Sequence, residues 1–186
     1  MATIQKITPC LWFDNEAEEA AKFYVSVFSA APPQGSVRGA KNSEVGRIGR
    51  YNKVGFEMHH RPAGSILTVE FTLDGQSFLA LNGGPNFKFT EAVSFTVYCD
   101  TQEEVDYYWE KLSEGGDPNV QQCGWLKDRY GLSWQITPKI LTGMFLDAES
   151  ENSERAMEAM MQMKKLDIAK LEAAYNGAEE PEIVGN

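Results

Sequence analysis

The run Phe13-Asp14-Asn15-Glu16-Ala17-Glu18-Glu19 returns 86 positions on as Cys99-Asp100-Thr101-Gln102-Glu103-Glu104-Val105. Each copy stands behind a strand-like run and ahead of an aromatic-rich amphipathic segment, and Phe23 aligns with Trp109. The chain therefore reads as two copies of one βα-containing unit. Fused units of this kind commonly build a shared cleft, and the side chains lining it can be read from strand parity.

Composition narrows the functional classes. At 186 residues, with 42% hydrophobic and 11% aromatic residues, the chain can bury a real core. A net charge of -10 repels phosphate backbones, so no nucleic-acid partner is expected. The acidity is uneven: Arg38, Lys41, Arg47, Arg50, Lys53 and Arg61 face only Glu44 and Glu57 within one stretch, which reads as a solvated loop with ordinary basic residues. No apolar run approaches the roughly 20 residues of a membrane span, and Met1 to Lys6 show no export pattern. The expectation is a cytoplasmic protein with no membrane partner. Cys10, Cys99 and Cys123 are odd in number and lack zinc or redox spacing, as suits a reducing compartment, and each reads as small core filler.

Along the chain, Ile4 to Phe13 reads as a strand with Pro9 near an edge. Asn15 and Glu18 resemble a capping box, opening a helix that ends near Ala30 before Pro32-Pro33. Residues 34 to 65 read as irregular strands with long connections. A hairpin follows, with Leu67–Thr72 and Ser77–Leu81 flanking Asp74-Gly75. A two-residue turn would set Phe71 opposite Phe78. A three-residue loop instead puts Val69, Phe71, Leu79 and Leu81 on one face, and on that apolar pattern the longer loop is chosen. After Gly83-Gly84-Pro85-Asn86 come a strand from Ala92 to Cys99 and a second capping box at Thr101 and Glu104. Its helix ends at Gly115-Gly116, and a second hairpin lies about Asp128 to Gly131. Beyond Asp147 one long helix is expected over Ser153 to Tyr175, with Met157, Met161, Ile168, Leu171 and Tyr175 on a stripe that packs on its own body or a second subunit. An acidic tail, Glu179-Glu180-Pro181-Glu182, reads as disordered.

If helices cover one face of the sheet, apolar parity assigns Ile7, Leu11, Phe13, Val69, Phe71, Leu79, Leu81, Val93, Phe95, Val97, Leu132, Trp134 and Ile136 to it. The cleft then holds Thr8, Cys10, Trp12, Thr68, Glu70, Thr72, Phe78, Ala80, Asn82, Ser94, Thr96, Tyr98, Ser133, Gln135 and Thr137. Small polar groups between aromatic walls are what a small-molecule pocket needs.

These residues resemble a known family. The paired βαβββ halves, Ile7-Thr8-Pro9-Cys10-Leu11-Trp12-Phe13 ahead of Glu18-Glu19-Ala20-Ala21-Lys22-Phe23-Tyr24, and Asn82-Gly83-Gly84-Pro85 are similar to the PhnB-like branch of the vicinal oxygen chelate superfamily. So are Gln102-Glu103-Glu104-Val105-Asp106, Cys123-Gly124-Trp125-Leu126-Lys127-Asp128, Gly131-Leu132-Ser133-Trp134-Gln135 and the segment Met160 to Ile168, so the resemblance runs from about residue 4 to 175. It implies an α+β fold of two βαβββ modules, about 4–84 and 90–140 within a glyoxalase-like domain over 1–146. A C-terminal helical extension over 147–178 and the tail over 179–186 follow. It also implies a homodimer.

Metal-binding members of the superfamily place His or Glu at inward positions that fall here near Thr8, Ala80, Ser94 and Gln135. Only Gln135 resembles a usual ligand, and it is neutral, so no cofactor is expected. Glu70 keeps three readings open: a weak hard-cation site with Gln135 and Ser94, a general base, or a partner for an Arg of the preceding segment. His59 and His60 read as loop or strand-end residues. Relatives in this branch are often labelled demethylubiquinone methyltransferases, but the first strand enters its helix without a glycine turn and Gly83-Gly84 precedes no helix, so S-adenosylmethionine chemistry is not expected. The reading is a metal-free binding protein for a small, partly aromatic or amphipathic metabolite. Cys10, Trp12, Phe78, Asn82, Ser94, Tyr98, Trp125 and Gln135 form its site. The alternative is an isomerase or lyase with Glu70 as base.

Overall fold

The computed structural model describes residues 6–32 and 42–178, and the chain divides into two units after Phe89. The expectations for Ile4, Arg38, Lys41 and the tail from Glu179 lie outside the described residues. In the first unit, β1 (Cys10–Phe13) leads into α1 (Ala17–Ser29), then β2 (Glu44–Arg50), a short α2 (Phe56–His59), β3 (Ile66–Leu73) and β4 (Gln76–Asn82). The sheet order is β1-β4-β3-β2, with β1 parallel to β4 and the other pairs antiparallel. Ala17, Ala20, Ala21, Tyr24 and Val27 form the buried stripe of α1, which packs across β3 and β4. Each large side chain buried there contributes roughly 1.5–3 kcal/mol.

The β3–β4 register corrects the sequence reading. Asp74 and Gly75 form a two-residue turn, with φ of 43° and 83°, and Phe71 pairs with Phe78 and Val69 with Ala80. Two consecutive left-handed residues define the hairpin turn whose twist matches the strands, and Asp-Gly is a preferred pair for it. Phe78, Ala80 and Asn82 consequently face α1, whereas Leu79 and Leu81 take the opposite face. Both alternating sets of β4 are apolar, so hydrophobic parity carried no information there and turn chemistry decided.

Asn82 is buried because it does the capping expected of Asn15. Its Oδ1 accepts the Ala17 N–H at 2.9 Å and its Nδ2 donates to the Ile66 carbonyl at 3.1 Å, while Glu16 at the helix start makes no side-chain cap. Ile7, expected on the covered face, is exposed instead.

The second unit repeats the βα start and the closing hairpin with, among the described residues, one strand fewer than the expected βαβββ: β5 (Ser94–Cys99), α3 (Gln102–Ser113), a 3-10 turn (Pro118–Val120), β6 (Trp125–Lys127) and β7 (Ser133–Pro138) in a β5-β7-β6 sheet. The duplication extends to backbone bonds: Gly83 N–H donates to Phe13 O, and Lys139 N–H to Cys99 O, both at 2.9 Å. The Thr101 cap forms as expected, accepting from Glu104 N, while the Glu104 carboxylate reaches back to Asp100 N–H at 2.6 Å. Asp128 organises the hairpin loop, accepting from Tyr130 N and Leu132 N and, at 2.9 Å, from Trp134 Nε1. Val93, placed by parity on the covered face, is exposed ahead of β5.

The C-terminal extension is not one helix. After α4 (Ile140–Met144), which precedes the expected bounds, it comprises α5 (Glu151–Met161) and α6 (Ile168–Asn176). The break follows from tertiary bonds and a local cap. Cys123 and Gly124 N–H groups donate to Met163 and Lys164 carbonyls at 2.8 Å, and Asp167 caps α6 through Lys170 N. Gln102 bonds both Leu166 O and Ile168 N. Leu141, Met144, Ala156, Leu166 and Leu171 form the core of the extension, whereas Met157 and Met161 are exposed, so the expected single stripe is split between two helices.

Candidate functional site

On the first sheet, register places Cys10, Trp12, Leu79, Leu81, Thr68, Glu70 and Thr72 on the face opposite α1. Phe78 and Asn82, each only 6% exposed, are on the other side and do not join them. Trp12 is half-buried and fixed. Its Nε1 donates to Gly84 O at 2.8 Å, Phe87 meets it edge-on at 4.9 Å, and a Cβ on Gly83 would come within 2.2 Å of the indole. Glycine at position 83 is the condition for that close approach. Cys10 is exposed as a residue, but desolvation pushes its thiol above the ordinary range, which does not favour a reactive thiolate.

Glu70 is paired with an arginine of the preceding segment. Arg47 donates through Nε and Nη2 to its two carboxylate oxygens, at 2.9 and 2.8 Å. The fork engages both oxygens of an exposed carboxylate. Two further cations of this segment bond within the unit, Arg50 to Gly64 O and Arg61 to the Asp14 carbonyl and carboxylate. His59 closes α2 beneath Tyr51 with ring centres 4.4 Å apart, and its Nδ1 accepts from Arg61 N. A depression of about 350 Å³ at the start of α1 is rimmed by Glu16, Glu18 and Glu19, the wrong sign for an anion. A second, of about 470 Å³, lies between α5 and α6 and contains none of the expected site residues.

The second sheet assembles more of the expected set. Across β5, β7 and β6, register aligns Ser94, Ser133 and Lys127 in one row and Thr96, Gln135 and Trp125 in the next, with Tyr98 and Thr137 beyond. All share the face opposite the one formed by Val97, Trp134 and Ile136, which are buried. Gln135 Nε2 donates to Ser94 Oγ at 2.9 Å. Tyr98 is 49% exposed and Trp125 half-buried, so aromatic surface remains accessible beside the polar row. Lys127 pairs with Glu91, whose carboxyl this contact holds below the usual range. Ser133 is 1% exposed and its hydroxyl has no hydrogen-bond partner. An unsatisfied buried hydroxyl costs about 1–3 kcal/mol. Parity placed Ser133 on this face but did not single it out, and Lys127 was missed although it lies two residues from Trp125 on the same strand.

The residues do not fit the metal of the wider superfamily. Ala80 points to the covered face, Leu79 occupies the open-face position beside Glu70, and the Gln135 amide is engaged with Ser94. Among the described residues no group of three His, Cys, Asp or Glu is arranged to hold a metal ion. At the start of α1 the Ala17 N–H is taken by Asn82.

Two βα-led modules, each with its first strand parallel to its last, define an α+β protein of the glyoxalase-like class. The chain belongs to its PhnB-like branch: residues 5–137 match the family described as 3-demethylubiquinone-9 3-methyltransferase. It is similar to a solved Bacillus cereus structure described as a putative 3-demethylubiquinone-9 3-methyltransferase, PhnB protein, at 36% identity and a TM-score of 0.56, covering 72% of this chain and 99% of that one. A solved Pseudomonas aeruginosa protein aligns at 17% identity and a TM-score of 0.49, covering 73% of this chain and 98% of that one. No curated protein sequence matches. The family match ends at Thr137, short of the tail segment that the sequence resemblance included, so α4 to α6 lie beyond it. No helix among the described residues is long and apolar enough to cross a membrane.

Proposed function

We propose that this chain is a metal-free small-molecule binding protein that takes a small, partly aromatic or amphipathic metabolite on the open face of the second sheet. The observation that carries this reading is the row of Thr96, Gln135 and Trp125 beside the Gln135–Ser94 bond, with Tyr98 exposed next to it. Polar groups held in fixed positions orient a ligand, and accessible aromatic surface supplies buried area. The Arg47–Glu70 fork favours binding over an isomerase or lyase that would need Glu70 as a free base. The methyltransferase description belongs to the family and to the Bacillus cereus relative, and the chain offers no glycine turn ahead of α1 for such a cofactor. A homodimer in the cytoplasm completes the reading, supported by the exposed Val54 and Met58 and by three unpaired cysteines.

A thermal-shift screen of aromatic and amphipathic metabolites tests it. At about 100 times its Kd a ligand adds roughly 2.7 kcal/mol of stability. A stabilising compound should lose its effect with Gln135→Leu and keep it with Glu70→Gln. The reverse pattern would move the site to the first sheet.

A further inference from the structure

Resting on the reading that the open face of the second sheet binds the ligand, we propose that the ligand is held there by a carboxylate or like oxyanion, received by Ser133, Ser94 and Lys127. These three are consecutive partners in one row across β5, β7 and β6. Ser133 carries a buried O–H with no partner, which a ligand entering the row would satisfy. Ser94 accepts from Gln135 Nε2, which leaves its own hydroxyl hydrogen to donate outward. Lys127 brings up to three N–H donors, and Glu91 is the carboxylate it holds. The row is rich in donors, and Glu91 is its charged acceptor.

A carboxylate accepts at two oxygens and donates nothing, so it complements such a row. A neutral amide brings no charge to meet the Lys127 ammonium and one acceptor oxygen where a carboxylate brings two, and that difference supplies selectivity. Glu91 stands where the ligand's charge belongs. Its carboxyl is kept ionised by Lys127, and an incoming carboxylate replaces one anion with another while adding the Ser133 bond. Trp125, one row away beside Gln135, points to an aryl group on the acid.

The test uses the full chain and two probe pairs, phenylacetate and 3-phenylpropanoate against their amides, followed through the Gln135 side-chain amide by NMR. The acids should shift that signal and bind about tenfold more tightly than the amides. Ser133→Ala should weaken the acids about fivefold without lowering thermal stability, because it removes an orphaned hydroxyl. Glu91→Gln should tighten the acids by removing the competing carboxylate. Equal binding of acids and amides at Gln135 would overturn the oxyanion site and leave the open-face reading standing. Binding of both with Gln135 unmoved would overturn the open-face reading as well. No shift from either acid, loss of stability in Ser133→Ala, or weaker acid binding in Glu91→Gln would each overturn the proposal.

Discussion

Phe71 stands directly opposite Phe78 across the β3–β4 hairpin, with ring centres 5.2 Å apart and planes 17° from parallel. That pairing requires the Asp74-Gly75 turn, and it sends Leu79 and Leu81 to the face that carries Trp12 and Glu70. Gly75 has φ of 83° and open space where a Cβ would be, so Gly75→Ala tests conformation alone. It should cost about 1 kcal/mol in urea unfolding, whereas Asp74→Asn should be near neutral because Asn also accepts the left-handed conformation.

Asp128 is 2% exposed and accepts from two backbone N–H groups and the Trp134 indole. Asp128→Ala strands these donors and should cost about 3 kcal/mol by denaturant unfolding. The loss should appear in the second unit, as faster hydrogen exchange at Tyr130 and Leu132.

The break between α5 and α6 is held by Gln102 and by Leu166, which is buried in the extension's core. Leu166→Ala should destabilise by about 2–5 kcal/mol. Gln102→Ala should raise hydrogen exchange at Ile168 while leaving β5 and β7 protected. Lys165 pairs with Asp106 at 2.6 Å and lowers the Asp106 pKa below its ordinary 3.8. A lowered carboxyl pKa adds stability above the ordinary value and loses it as pH falls, so this tether should weaken below about pH 4, seen as faster exchange near Lys165.

Cys99 is buried beside Glu104 and Asp100, and burial first, then these carboxylates, push its thiol from an ordinary 9.0 to about 12. The folded state therefore keeps its proton over a range in which the unfolded chain loses it. Stability should be unaffected by Cys99 below pH 9.0 and should decline as pH rises toward about 12. Cys99→Ala should flatten that alkaline decline. At pH 8 a maleimide should label exposed Cys10 well ahead of Cys99 in the folded protein.

Legibility followed how sharply each residue pattern excluded its alternatives. In β5 and β7 a single parity is apolar, so Ser94, Thr96, Tyr98, Gln135 and Thr137 were placed correctly from sequence. The repeat and the Thr101 cap were equally legible, whereas the first strand of the second hairpin, expected over Val120 to Leu126, forms only as Trp125–Lys127 after a 3-10 turn. In β4 both parities are apolar, and Phe78 and Asn82 were assigned to the wrong face. Asn82 illustrates a further limit, since its polarity serves the start of α1 from 65 residues away. The helix break at Met163 to Asp167 lacks glycine or proline and arises from contacts with Cys123, Gly124 and Gln102. The Arg47–Glu70 fork needed the β2–β3 register, which is irregular between Val45 and Ile48.

The central claim is a metal-free protein that binds an organic ligand. Native mass spectrometry of protein purified without chelators or metal resin tests it most directly, since one spectrum reports subunits, metal and retained ligand. The account expects a dimer carrying an organic mass and no stoichiometric divalent ion. One divalent ion per subunit would contradict it.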